Sequence, residues 1–236
     1  MDNFSNNPER RKVVDVSQVN SFLAKTYGIM ALAVLVSALT AFLSTTVLRS
    51  VFISLLSNAA ASWVLLFLPL VLTFVISFRA TRNPVASFIM LMIMAIAYGF
   101  TFAIICTAYT GATIATAFVS AATVFIAMAL YGTFTKKDLA NFGAYAFAAL
   151  IGLIVASLVN LFLKNPMVTY IFSYIGVIIF TILTAWNAQQ MKNIYANYAD
   201  ENTELGLAVA GALQLYLDFV NLFMYFLEIF GFNDRR

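Results

Sequence analysis

Long apolar runs separated by short polar breaks dominate this chain, and they predict seven membrane-spanning helices. The pattern places spans at about 27–48, 61–78, 84–107, 112–131, 139–163, 167 to past 187, and 205–231. Before the first, residues 1–20 are polar and carry Arg10, Arg11 and Lys12, with Ser17 as a plausible cap for a short interfacial helix. The run 51–58 is apolar but too short to cross, so it reads as a loop or interfacial turn. Pro69 lies inside the second span and predicts a kink, with a moving hinge as the sharper alternative. Asn83-Pro84 and Asn165-Pro166 each read as a helix cap followed by proline at the first helical position. In the fifth span Ala144, Ala148, Gly152 and Ala156 recur every four residues and predict a face of close helix approach. Residues 232–236 form a short polar end.

The last span breaks the pattern. It reads LGLAVAGALQLYLDFVNLFMYFLEIFG and holds Asp218 near its middle. A charge exposed to lipid there costs roughly 3 kcal/mol or more. Gln214, Asn221 and Tyr225 fall on the same helical stripe as Asp218. Such a stripe has to face protein or water, so the seventh helix has to be surrounded, and the other segments are candidates for the surround.

Composition sharpens the class. The 236 residues are 63% hydrophobic and 10% charged, which leaves no room for a sizeable soluble domain beside the spans. The chain begins with no cleavable signal pattern, since its first apolar run is too long for one. It has no histidine, which removes Ser-His chemistry, histidine metal sites and histidine proton relays. Neither an HExxH zinc motif nor the Gly-x-Gly-Asp of aspartyl membrane proteases occurs, so an enzyme is not expected. The last span holds no lysine to carry a retinal. Cys106 is the single cysteine, so no intrachain disulfide can form. The net charge of +3 is spread over the turns and reads as membrane topology, not as nucleic-acid binding. Arg10, Arg11, Lys12, Lys25, Arg79, Arg82, Lys136, Lys137 and Lys192 alternate to one side, and Arg49, Lys164, Arg235 and Arg236 to the other. The richer side is expected in the cytoplasm, with the N-terminus there and the C-terminus across the membrane.

Spacing offers Asp218 a partner. Asn187, in LTAWNAQQMK, precedes it by 31 residues, and the midpoint falls at Asn202-Thr203, inside the turn ADENTE. An antiparallel hairpin turning there sets both side chains at one height, roughly 20 Å from the turn. The pair reads either as a structural interhelical hydrogen bond or as an ion or proton site. A carboxylate beside an amide oxygen can also ligate a hard cation such as Ca²⁺. Glu228 is expected near the membrane boundary. Arg79 and Arg82 are expected to snorkel to the surface, with a gate counter-charge as the alternative.

LYLDFVNLF in the last span and YGTFTKKDL in mid-chain resemble the Bax inhibitor-1 family, the transmembrane Bax-inhibitor-motif proteins, and its bacterial members in particular. YTGATIATAFVSAATVF and LTAWNAQQMK extend the likeness, which runs from about Ser21 to Gly231. The resemblance implies an all-α, seven-span fold with the last helix central and wrapped by the other six. It implies a pH-sensitive calcium leak channel, sensed by paired aspartates on the sixth and seventh helices, with Ca²⁺ or H⁺ as the moving ion and no bound cofactor. It implies a bacterial plasma membrane as location. The seventh-helix aspartate falls on Asp218, while the sixth-helix position is Asn187 here, and the second span lacks the acid that some members carry. A single acid cannot share a proton with a second one, so a weaker or shifted pH response and weaker Ca²⁺ binding are expected. A different class stays open beside this: a scaffold that regulates a membrane-bound protease.

Overall fold

A computed structural model of the chain describes residues 16–198 and 203–232. The basic run at 10–12, residues 199–202 of the ADENTE turn and the end from 233 lie outside those residues. Eight helices follow in order: α1 Val16–Thr45, α2 Arg49–Ser57, α3 Ala59–Arg79, α4 Pro84–Ala108, α5 Gly111–Phe134, α6 Ala140–Leu163, α7 Pro166–Tyr198 and α8 Glu204–Phe230. All but α2 are long and apolar enough to cross a bilayer.

Short polar side chains set most of the breaks. Asn83 Oδ1 accepts from Ala86 N at 3.2 Å and starts α4, with Pro84 at its first position. Asn58 Oδ1 accepts from Ala60 N and Ala61 N and starts α3. Thr110 starts α5 by accepting from Thr113 N. Asn165 Oδ1 accepts from Met167 N at the head of α7. α6 ends at Lys164, in a left-handed conformation with φ 51°.

Three expectations change. The run 51–58 is not a loop: residues 49–57 form α2, with Phe52 buried and ringed by Phe100 at 6.2 Å. Nine residues are too few to cross, but enough to bury one aromatic against the bundle. The helix at Ser17 is not a separate interfacial one, because α1 is helical at Val16 and continues without a break into the first span. The small-residue face of α6 is not a contact face. Ala144, Ala148 and Gly152 are exposed, while Gly143, Ala146, Leu153 and Asn160 turn inward. A four-residue period drifts by about 40° per step on a 3.6-residue helix, so the stripe winds off any one face. Pro69 is buried within a continuous α3, and Thr73 Oγ1 donates to its carbonyl.

α8 is the centre, and its most apolar stretch is twice as buried as that of the next most buried span. It packs on α7, α5, α1 and α4, and more lightly on α3, while α6 packs on α7. A cross-connected set of contacts defines one end of the bundle. Lys25 of α1 pairs with Glu204 of α8. The Tyr27 and Thr133 hydroxyls meet at 3.0 Å, and Lys192 Nζ donates to Thr133 O. Ala80, in the α3–α4 turn, sits on Gly206. The other end gathers the α4–α5 and α6–α7 turns and the close of α8, where Tyr109 lies on Gly231 and the Tyr170 ring packs tilted against Phe232.

Candidate functional site

α7 and α8 form the antiparallel hairpin that the spacing predicts, and Asn187 Nδ2 donates to Asp218 Oδ2 at 2.7 Å. Asp218 is 4% exposed and Asn187 8%. An amide donating from Nδ2 keeps its carbonyl oxygen, so the pair still has oxygens to offer a hard cation. Among the described residues no three Asp, Glu, Cys or His side chains converge. One acid and one amide fall far short of the six to eight oxygens or so of a high-affinity Ca²⁺ cage.

Close packing holds the pair. Gly132 of α5 lies against the carbonyl of Ala185, two residues from Asn187, and any Cβ there would collide with that backbone. Gly176 of α7 leaves room for the ring of Tyr225, which also packs against Phe180. These approaches fix the height and rotation of α7 against both neighbours.

The predicted polar stripe divides. Asp218 is buried, Asn221 and Tyr225 are half-buried, and Gln214 is exposed. Asn221 Nδ2 spends its donor on Leu217 O of its own helix. The surround of α8 is incomplete on the Gln214 side, so the inward reading fails at that residue. Arg79 and Arg82 are exposed at the α3–α4 turn and are not brought to Asp218. Glu228 lies near the end of α8, as expected, and accepts a hydrogen bond from the buried Ser173 hydroxyl of α7.

Two polar features escaped the sequence. Tyr216 and Ser37 hydroxyls meet at 2.7 Å, both fully buried, on the face of α8 turned away from Asp218. Ser37 gives its proton to Ala33 O, so Tyr216 is the donor between them. They line a cavity of about 250 Å³ between α1, α4, α5 and α8. Gln189 is the second feature: its Oε1 accepts from Leu139 N and its Nε2 donates to Lys137 O. One buried amide thus ties the α5–α6 turn to α7, half a helical turn from Asn187. The run of two glutamines in LTAWNAQQMK was the available signal.

Fold and site together define a seven-span helical membrane protein built on a central acid-bearing helix. The family described as "Inhibitor of apoptosis-promoting Bax1" matches residues 19–235, and the chain belongs to that Bax inhibitor-1 family. It is 41% identical to an uncharacterized membrane protein of Streptococcus pyogenes serotype M3, over 92% of this chain and 94% of that one. It is 38% identical to the inner membrane protein YbhL of Escherichia coli K12, over 92% of this chain and 93% of that one. A Rickettsia prowazekii protein of uncharacterized role is 36% identical over 91% and 90%.

Proposed function

We propose that the protein is a cation leak channel or exchanger, with Ca²⁺ the favoured ion and H⁺ linked to it through Asp218. The observation that carries this reading is a lone carboxylate, 4% exposed, in the central span of the bundle and bonded to an amide. Ionisable groups inside membranes are kept for function, because placing them there is costly. The likeness of LYLDFVNLF and its partner segments to pH-sensitive calcium leak proteins supports the choice of ion. Asp218 is packed and bonded, which corresponds to a closed state that must loosen at the α7–α8 contact before an ion can pass.

The gathering of Lys25, Arg79, Arg82, Lys136, Lys137 and Lys192 toward one end supports a cytoplasmic placement of that end, and a name such as inner membrane protein YbhL supports the bacterial plasma membrane. The test is calcium flux into proteoliposomes across a pH series, for the wild type, Asp218→Asn and Asn187→Asp. A cation and a proton compete for one carboxylate, so wild-type Ca²⁺ occupancy weakens as pH falls. Asp218→Asn is expected to remove that dependence and Asn187→Asp to strengthen it. Flux and pH profile unchanged in Asp218→Asn would sink the site and leave the scaffold reading standing.

A further inference from the structure

At the α6–α7 turn a pocket of about 470 Å³ opens between α6, α7 and α8. That is many times the 15 Å³ or so that one water needs on the same measure. Ser157, Asn160, Thr169 and Tyr225 line it together with two charged residues, Lys164 and Glu228. The backbone at Lys164 and the carboxylate of Glu228 are held in place by their surroundings. Asn160, 8% exposed, donates from Nδ2 to Asn165 O at 3.1 Å and to Thr169 Oγ1 at 2.8 Å, and its Oδ1 accepts from Asn165 N. This network pins the turn that keeps Lys164 in a left-handed backbone, at φ 51°, which a non-glycine residue rarely adopts. Glu228 is fixed by Ser173, whose hydroxyl is fully buried and donates to Oε2.

The two charges line one pocket, yet they do not pair with each other. Among the described residues the ion pair present is Lys25–Glu204, at the opposite end. An ammonium and a carboxylate set apart across a polar pocket complement a ligand that carries both signs, with its cation toward Glu228 and its anion toward Lys164. The lining adds hydroxyl and amide groups for the ligand's remaining donors and acceptors. A lone divalent cation fits less well, because Lys164 repels it. An anion alone meets Glu228 in the same way.

We propose that this pocket binds a phosphoethanolamine group, its primary ammonium on Glu228 and its phosphate on Lys164. The position at the end of three membrane spans suits a phospholipid headgroup whose chains follow the exposed face of α6, where Leu158, Leu161 and Phe162 point outward. The same chemistry is carried by free phosphoethanolamine. The proposal does not depend on the transport reading, since the pocket is lined by neither Asn187 nor Asp218.

The test is native mass spectrometry of the full chain in detergent micelles containing equal amounts of phosphatidylethanolamine, phosphatidylcholine and phosphatidylglycerol. The expected result is at least tenfold preferential retention of the ethanolamine lipid, because the trimethylated choline ammonium has no N–H to donate. Glu228→Gln is expected to abolish the preference and Lys164→Gln to lower retention of all three lipids, each leaving thermal unfolding, followed by tryptophan fluorescence, within a few degrees of wild type. Excess free phosphoethanolamine separates the sources: displacement of the lipid assigns the soluble group, and retention assigns the lipid. Equal retention of the ethanolamine and choline lipids by the wild type overturns the proposal without any variant. So does a preference that survives Glu228→Gln, or retention that Lys164→Gln leaves unchanged.

Discussion

Asn187 and Asp218 behave as one unit, and each substitution at the pair tests a different property. Asn187→Leu removes the donor but leaves the acid buried, an unmet acceptor that costs on the order of 1–3 kcal/mol. A lower unfolding temperature in detergent is therefore expected, and Asp218→Asn, which restores an amide pair, is expected to lose much less. Comparing both by thermal unfolding separates stability from flux. If Asn187→Leu were as stable as the wild type, the bond would contribute nothing to the fold. This contact was legible in the sequence because two helices joined by one turn have only one register, and 31 residues bracket that turn. The Tyr216–Ser37 bond was not legible, since its partners are 179 residues apart and no local pattern links α1 to α8.

At the level of elements, glycines separate faces that the repeat of small residues confuses. Gly132→Ala puts a methyl group onto the Ala185 backbone, which cannot rotate away. It is expected to lower the unfolding temperature sharply or to prevent folding. Gly152→Ala meets nothing within 4 Å and removes a glycine from a helix interior, so it is expected to be neutral or to stabilise by up to about 1 kcal/mol. The reverse ranking, measured by thermal unfolding, would mean that α6 approaches its neighbours through the alternating small stripe after all. Gln189 works between elements. Gln189→Ala frees Leu139 N and Lys137 O, so faster hydrogen exchange is expected at the α5–α6 turn, with α7 itself unchanged. Unaltered exchange at residues 135–140 would show that the turn is held by something else. Helix starts were legible at Asn83-Pro84 and Asn165-Pro166, where a cap and a proline act locally. α2 was not, because its hydrophobic run is short and its helicity is settled by burying Phe52 against Phe100.

At the scale of the whole molecule, an alternating path of seven spans fixes which turns share a side. Single cysteines in a Cys106→Ser background report this directly. Thr135→Cys, in the α5–α6 turn, is expected to react with a membrane-impermeant maleimide only in inverted vesicles. Asn165→Cys, in the α6–α7 turn, is expected to react only in intact cells. Both reacting from one side would remove a span from the path.

The apolar runs, the capped starts and the single turn between Asn187 and Asp218 determined by themselves the class of the protein, the number of spans and the height of the candidate site. These are local or nearest-neighbour properties, governed by the cost of exposing backbone and charge to lipid. Only the tertiary structure decided that Gln214 faces outward, that α6 leans on α7, that Gln189 holds a distant turn, and that Lys164 and Glu228 share a pocket without pairing. Each of these depends on which helix happens to lie beside which, and side-chain volumes far apart in the chain settle that question together.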